Sequence, residues 1–499
     1  MTGFFTLGAR FGGLFGVPDA LLAVDAHAGI GQADRAALHP VERQLLGPHL
    51  AGPEGLGADQ VEVAGIVGAR AGGRIGGSRR RPLGGAQRTI AASGQQQAGD
   101  DDSGGSDHAG AILEAAAQAN LPGTMNHNAR PVFYEFFAGG GMARIGLGEG
   151  WNCAFANDFD PVKAQTYRAN FADADEHFHT GDVFKLEAAD LPGQADLAWA
   201  SSPCQDFSLA GARAGLHGGR SSAFFGFWRL IEALEDEGRA PTTIVIENVV
   251  GLLTSHRGED FTALCQALAD QGYRFGALEI DAAQFTPQSR PRVFVVATRA
   301  DTDGLTGQGP FHSRAVREAA ARLPQALKDR WLWWALPAPP ARNTDLASVL
   351  EPDDAVEWRT DEQTTALLEL MAPAHRASVD ARLASGERAV GGVFRRMRGG
   401  EQRAEVRFDG IAGCLRTPRG GSSRQTLLVI DKGAVRSRLV SPREGARLMG
   451  LPDSYALPKS ATAGLHVIGD GVAAPAVRWL AEHLLTPLAA RKSAALAAE

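Results

Sequence analysis

The 499-residue chain reads as an α/β protein, with a doubly wound sheet and a second, smaller domain. Three observations predict this. From residue 131 to about 300, strand-like and helix-like segments alternate. The strands are near-continuous apolar runs such as "TIVIE", as expected where both faces of a sheet are covered. After about residue 300 the alternation stops, and "WLWWALPAPPARN" and an Arg- and Gly-rich stretch follow.

The elements follow in order. "PVFYEFF" is a strand and "MARIGLGE" opens a helix. "WNCAFAND" is the next strand. In "DPVKAQTYRANF", Asp160 is placed to cap a helix and Pro161 to occupy its first position. A third strand ends near Asp182 in "TGDVF". "ADLAWAS" is a buried strand, and "AFFGFWRLIEALEDEG" is a helix ended by glycine. "TTIVIENV" is a strand, "FTALCQALADQG" a helix, and "YRFGALEIDAAQF" and "RVFVVATR" two further strands. Residues 301–455 form the expected smaller domain. The segment 456–490 returns to helical spacing, with Val472, Val477, Leu480 and Leu484 on one face.

Residues 1–124 differ in texture. They are rich in Gly, Ala, Arg and Gln, carry "QQQAGDDDSGGSDHAG" and sustain no periodicity. Such a segment buries too little apolar surface to offset its ordering entropy, so disorder or loose helix is expected. The other reading is that translation starts at Met125, just before the first strand.

Composition excludes several classes. The four cysteines, Cys153, Cys204, Cys265 and Cys414, form no CxxC pair and no cluster with zinc-ligand spacing, so no metal site is expected. Sparse cysteine suits a reducing compartment. No apolar run approaches the roughly 18 residues of a membrane span, and "MTGFFTLGARFGGLFGV" lacks the basic lead of a secretory signal. A cytoplasmic protein is expected. Net charge is −7, yet residues 391–450 hold twelve arginines and Lys432 against five carboxylates. A basic segment in an acidic chain suits a phosphate-binding face or a merely solvated surface.

The first strand runs into "FFAGGGMARIGLG". Glycines permit a tight turn and close approach to a ligand, and the next helix offers free N–H groups. In a chain with 61 glycines that trio is weak alone. Asp158, nineteen residues after Gly139, ends the next strand, where a carboxylate can take a ribose hydroxyl. Asp182 lies at the same sheet edge. Helix capping is the plain alternative for both aspartates. Cys204, directly after Pro203, Glu247 in "ENV", and the arginines of "QSRPR" converge on that edge too.

Together these motifs resemble the DNA (cytosine-5)-methyltransferase family. In family order they are "FFAGGGMARIGLG", "ANDFDPVKAQTYRANF", "GDVFKL", "SSPCQDFSLAG", "IENV", "QFTPQSRPRVFVVATR", "CLRTPRGGSSR", "LVSPREGARLMGLPDSY" and "HVIGDGVAAPAVRWL", across residues 131–487. The resemblance implies a Rossmann-like S-adenosylmethionine-dependent methyltransferase sheet with a target-recognition domain, and a final helix packing back on the first.

It also implies roles. Cys204 would add to C6 of a flipped cytosine, activating C5 toward the methyl donor. Glu247 would meet N3 and the exocyclic amine. Arg290 and Arg292 would hold O2 and the loop bearing Cys204. Cofactor contacts would come from Phe137, Gly139, Gly141, Asp158, Phe159, Asp182, Val183, Pro203, Asp470 and Val472. DNA contacts would come from Gln205, Ser208 and Arg220 of a closing loop, and from Arg395, Arg396, Arg416 and Arg419 of the recognition domain. The implied partners are double-stranded DNA and, for restriction-modification members, a cognate endonuclease, with the enzyme a monomer.

The chain departs from the family in three places. Met142 stands where many members carry glycine. Gly218 and Gly219 replace a more usual polar pair. Gly469-Asp470-Gly471-Val472 stands for the usual Gly-Asn-Ser/Ala-Val, and the loss of an amide donor at Asp470 predicts weaker or more pH-dependent cofactor binding. Two rival readings have sequence signatures of their own. RNA methylation on this architecture would bring a Cys-Phe-Thr element, which the sequence lacks. A silent DNA-binding paralogue would lack reason to keep Cys204, Glu247 and Arg292.

Overall fold

A computed structural model describes residues 130–202, 223–417 and 424–491. The low-complexity segment 1–124 lies outside the described residues, as do Pro203, Cys204, Gln205, Ser208, Arg220 and Arg419.

The larger sheet has seven strands in the order β3-β2-β1-β4-β5-β7-β6. They are β1 (Val132–Phe136), β2 (Asn152–Asp158), β3 (Phe178–Thr180), β4 (Leu197–Ala200), β5 (Thr243–Val249), β6 (Arg274–Asp281) and β7 (Pro291–Thr298). The first five pair in parallel, joined by α1 (Met142–Leu147), α2 (Pro161–Asn170) and α3 (Ala223–Asp236). After β5 comes α4 (Glu259–Asp270). Asp160 caps α2, accepting the N–H groups of Val162 and Lys163, and Pro161 opens it, as its fixed φ favours.

The chain departs from β1 in one direction to β2 and β3, then returns to β4 on the other side. The crevice between the carboxyl ends of β1 and β4 is therefore the switch point where α/β sheets take ligands. β7 lies antiparallel to both β5 and β6, so the sheet is mixed. That reversal places the start of β7 beside the end of β5, with Arg292 opposite Val249 and Phe294 opposite Glu247.

Beyond residue 300 the apolar side chains do not at once leave the large sheet. Phe311, Trp334, Leu336, Leu346 and Val349 join the core on one of its faces, and Val316, Ala319 and Leu323 join the other. A second sheet then forms, all antiparallel, in the order β11-β10-β8-β9. Its strands are β8 (Ala389–Arg398), β9 (Glu401–Arg407), β10 (Thr426–Asp431) and β11 (Ala434–Leu439). β10 shows the alternation of a strand between two cores. Leu427 and Val429 enter the principal core, while Leu428 and Ile430 enter a small separate cluster with Leu367, Met371 and Val379.

The chain ends with α5 (Ala461–Asp470) and α6 (Ala474–Leu480), the latter continuing through a π turn to Leu485. α6 lies on α1: a side chain at Gly146 would run into Val477 and the carbonyl of Ala474. Val472, Val477, Leu480 and Leu484 are all buried there.

Candidate active site

The site is built at the carboxyl edge of β1, β2, β4 and β5. Leaving β1, Phe137 holds φ near 58°, an outlier for an aromatic residue and the kind of strain that marks binding loops. The Gly139 N–H donates to Asp158 Oδ2 at 2.9 Å, and the Asp160 N–H donates to Asp158 Oδ1 at 2.9 Å. Asp158 therefore ties the glycine loop to the end of β2; the helix cap is its neighbour Asp160. Burial raises the Asp158 pKa above the ordinary carboxylate value. Asp182, by contrast, accepts from the Phe184 N–H and caps the turn Val183–Lys185.

Two aromatic rings stand open beside these acids. Phe159 is 68% exposed and Phe184 39%. Rings left open to solvent at the carboxyl edge of a parallel sheet can stack on a planar base. The Val183 and Val472 side chains are buried in the protein, so any ligand contact from them falls to their backbone.

At the third side of the crevice, Asp470 ends α5. Lys163 Nζ lies 2.8 Å from Asp470 Oδ2, and the Thr417 hydroxyl donates to Asp470 Oδ1. Burial works against ionisation of Asp470, but Lys163 outweighs it and the carboxyl is held below its usual range. The Lys163 pKa is raised despite burial, by Asp158 and Asp470. Lys163 was not among the expected site residues. The sequence offers no spacing that would pair it with a residue more than three hundred positions away.

The two family departures in this region answer each other. Met142 is buried, and its Sδ occupies the space a side chain at Gly471 would need, 2.2 Å from the ideal Cβ position. The larger residue at 142 fits because residue 471 has none.

At the end of β5, Glu247 is 6% exposed, and Arg292 Nε lies 3.1 Å from its Oε1. The adjacent Asn248 donates from Nδ2 to the Ser202 carbonyl at 3.0 Å. That bond latches the end of β5 to the segment leaving β4, two residues in sequence before Cys204. Asn248 was legible only as part of "ENV"; its latch depends on the parallel pairing of β4 and β5.

Arg290 differs from its expected place at the base. It is 2% exposed. Nη1 donates to the Leu415 carbonyl at 2.7 Å, and Nη2 to those of Gly469 and Gly471 at 2.8 and 2.6 Å. Its guanidinium therefore clamps backbone on both sides of Asp470 and has no fork left for a nucleobase. Burial and the neighbouring Arg292 pull its pKa down to about 10, still charged at neutrality. Gln288, fully buried, completes the frame: it donates to the Leu448 carbonyl at 2.9 Å and accepts from the Leu415 N–H at 3.0 Å.

The basic segment is less basic than its count. Arg398 and Arg396 share Glu405, Arg403 meets Glu401, Arg407 meets Asp409, and Arg438 forms a fully buried pair with Glu444. Arg395 and Arg416 are exposed and meet no carboxylate among the described residues. No group of three or more metal-ligating side chains occurs among the described residues, and no helix there is long and apolar enough to cross a membrane.

Comparison with known proteins adds the following. The family model for C-5 cytosine-specific DNA methylase matches residues 132–486. Type II methyltransferase M.HpaII of Haemophilus parainfluenzae is 28% identical over 398 residues, covering 75% of this chain and 96% of that protein. Type II methyltransferase M.SsoII of Shigella sonnei is 25% identical over 366 residues, covering 73% and 82%. Type II methyltransferase M.HhaI of Haemophilus parahaemolyticus is 24% identical over 354 residues, covering 70% and 93%.

Proposed function

The chain belongs to the C-5 cytosine-specific DNA methylase family, and from that premise we propose that it methylates a cytosine flipped out of double-stranded DNA through a covalent bond between Cys204 and C6. It is a DNA (cytosine-5-)-methyltransferase whose methyl donor is S-adenosylmethionine.

The observation that carries the detailed reading is the Glu247–Arg292 pair, latched through Asn248 to the segment that leads into Cys204. C5 of cytosine is a poor nucleophile. Addition of the Cys204 thiolate to C6 forms the S–C6 bond and shifts electron density to C5, splitting one hard step into easier ones. Glu247 holds N3 and the exocyclic amine, where charge would otherwise build. Arg292 fixes the Glu247 carboxyl and faces O2. Once C5 carries the methyl group, a solvent-borne base takes the C5 proton, the electron pair left behind re-forms the C5–C6 double bond and expels the Cys204 thiolate, and 5-methylcytosine is released. A base inside a stacked duplex cannot be reached in this way, so the target must be extruded.

The residues at the crevice fit the cofactor. The glycine loop tied down by Asp158 can approach it closely, and Phe159 offers a ring to adenine. Lys163 and Asp470 place an ammonium beside a carboxylate, complementary to the two charges of an amino-acid end. When bound there, S-adenosylmethionine supplies the methyl group that C5 accepts. Phe137, Gly139, Gly141, Asp182, Val183, Pro203 and Val472 complete the proposed cofactor contacts. Arg290 serves as a positioning residue for Gly469–Gly471 rather than as a contact to the base.

The reading further includes a cytoplasmic monomer that acts on duplex DNA, with Gln205, Ser208 and Arg220 closing on the extruded base. The relatives' names as Type II methyltransferases support a cognate restriction endonuclease as partner. Bisulfite sequencing of DNA from cells expressing the protein tests the whole of it. Fixed-context 5-methylcytosine with the wild type and none with Cys204→Ser is expected. Methylated cytosine surviving that substitution would refute it.

A further inference from the structure

The glycine loop between β1 and α1 is held by side chains from distant parts of the chain. Asp158 accepts the Gly139 N–H. The next carbonyl, that of Gly140, accepts from the Tyr455 hydroxyl at 2.8 Å, 315 residues further along. Tyr455 is 2% exposed, although the three residues before it are exposed, so its ring turns inward from a surface segment. A Cβ at residue 140 would stand 2.2 Å from the phenol oxygen, and only glycine admits the ring. Burial pushes the phenol pKa well above its ordinary value, so Tyr455 remains a donor across neutral pH. One residue on, Ala456 and Asn170 at the end of α2 exchange two hydrogen bonds. The Ala456 N–H donates to Asn170 Oδ1 at 2.8 Å, and Asn170 Nδ2 donates back to the Ala456 carbonyl at 3.0 Å.

The segment that carries Tyr455 is fastened on its other side to the second sheet. The helix Pro442–Leu448 reaches it through Arg443, whose Nη2 donates to the Tyr455 carbonyl at 2.9 Å, and through Arg447, which forks onto Asp453 at 2.7 and 2.8 Å. The same helix carries Glu444, which pairs bidentately with Arg438 of β11 at 2.6 and 2.7 Å. That pair is fully buried, where separating the two charges is costly, so β11 and the helix are held together. A displacement of the second sheet therefore reaches residue 455. There it must either carry the Gly140 carbonyl with it or break the phenol bond. Packed interiors answer such a choice with discrete rather than continuous change.

We propose that Tyr455 is a positioning residue through which the second sheet and the glycine loop set one another, so that duplex DNA and S-adenosylmethionine bind cooperatively. The inference rests on the DNA-methylating reading, with DNA engaging the second sheet. A cofactor that needs the Gly139–Gly141 backbone in one arrangement favours the state with the phenol bond made. DNA that needs the second sheet in the matching position favours the same state. By thermodynamic linkage each ligand must then tighten the other by an equal factor.

The test uses the full-length enzyme and a duplex carrying the context that bisulfite sequencing identifies. Calorimetry gives the dissociation constant of S-adenosylhomocysteine with and without that duplex, and that of the duplex with and without S-adenosylhomocysteine. In the wild type the two ratios should agree, at on the order of tenfold. Tyr455→Phe keeps the ring and removes the donor, and its ratio should fall to within about twofold of unity. Asn170→Ala, which cuts the second tie and spares the phenol, should lower the ratio in part. A wild-type ratio of unity overturns the proposal. So does a wild-type ratio in Tyr455→Phe, even with a lowered melting temperature, because the phenol is then structural only. Methyl transfer to the same duplex by the wild type separates two failures. With transfer intact, a failed coupling removes only the role of Tyr455; without transfer, the DNA-methylating reading falls and this inference with it.

Discussion

Arginine is used in opposite ways at the two ends of this molecule. Arg290, at the sheet edge, is buried and donates to three backbone carbonyls from two distant parts of the chain. Arg396, near the end of β8, is exposed and shares one carboxylate with Arg398. The first arrangement removes freedom from the groups around the crevice. The second leaves side chains ready to exchange partners. Fixed geometry and exchangeable surface charge are thus separated within one chain, by burial rather than by residue type.

The largest effect should come from breaking the buried clamp. Arg290→Met would leave three carbonyls without their donor, at about 1–3 kcal/mol for each one left unsatisfied. A loss of several kcal/mol in chemical denaturation is expected. Arg396→Ala, exposed, should move stability by no more than about 0.5 kcal/mol. Equal losses for the two variants would erase the contrast.

Next comes a buried acid beneath the cofactor loop. Glu135 on β1 is 1% exposed with Oε2 unpartnered, and burial pushes its carboxyl up to about 8 from an unfolded value near 4.5. Between those values folding takes up a proton, so stability falls as pH rises from about 4.5 to about 8. Glu135→Gln cannot titrate. Thermal melting should find the variant gaining on the wild type steadily from pH 5 to 8.5. A constant difference across that range would show that Glu135 is not the group responsible.

A smaller effect sharpens the packing side of the comparison. Gly471→Ala brings a methyl group against Met142 Sδ; the flexible methionine can yield in part, so a loss of about 1 kcal/mol, the low end for overpacking, is expected. Adding Met142→Ala should recover part of that loss. Purely additive costs in the double variant would mean that the two positions do not answer each other.

The smallest expected effect concerns the cofactor. Lys163 holds Asp470 ionised, so affinity for S-adenosylhomocysteine should vary little between pH 6 and 8, rather than showing the pH dependence expected from the sequence. Asp470→Asn, which strands the Lys163 charge, should weaken calorimetrically measured binding on the order of tenfold, about 1.4 kcal/mol. Unchanged affinity in that variant would remove Asp470 from the site.

What was legible in the sequence follows the range of the interactions concerned. The parallel strands, the Asp160 cap and the acids at strand ends are written in local pattern. The reversal of β7 is not, because an apolar run such as "RVFVVATR" reads alike in either direction; only the pairing with β5 brings Arg292 to Glu247. The second sheet does not follow the strand–helix alternation of the first, yet "TLLVIDKGAVRSRLV" carries a hairpin signal in Lys432 and Gly433, both at positive φ. Charge count overstates the free positive charge of the segment, because Glu401, Glu405, Asp409 and Glu444 pair Arg396, Arg398, Arg403, Arg407 and Arg438. Lys163 and the Arg290 clamp depend on contacts across more than a hundred residues and have no local signature.

The proposed mechanism turns on Cys204, whose sulfur would bond to C6 of the pyrimidine. Duplex DNA carrying 5-fluorocytosine blocks release, because fluorine cannot leave C5 as a proton does. Incubated with S-adenosylmethionine, the wild type should form a denaturation-resistant complex whose cross-linked peptide, sequenced by mass spectrometry, contains Cys204. A complex that forms equally with Cys204→Ser, or a cross-link at Cys153, Cys265 or Cys414, would contradict the mechanism.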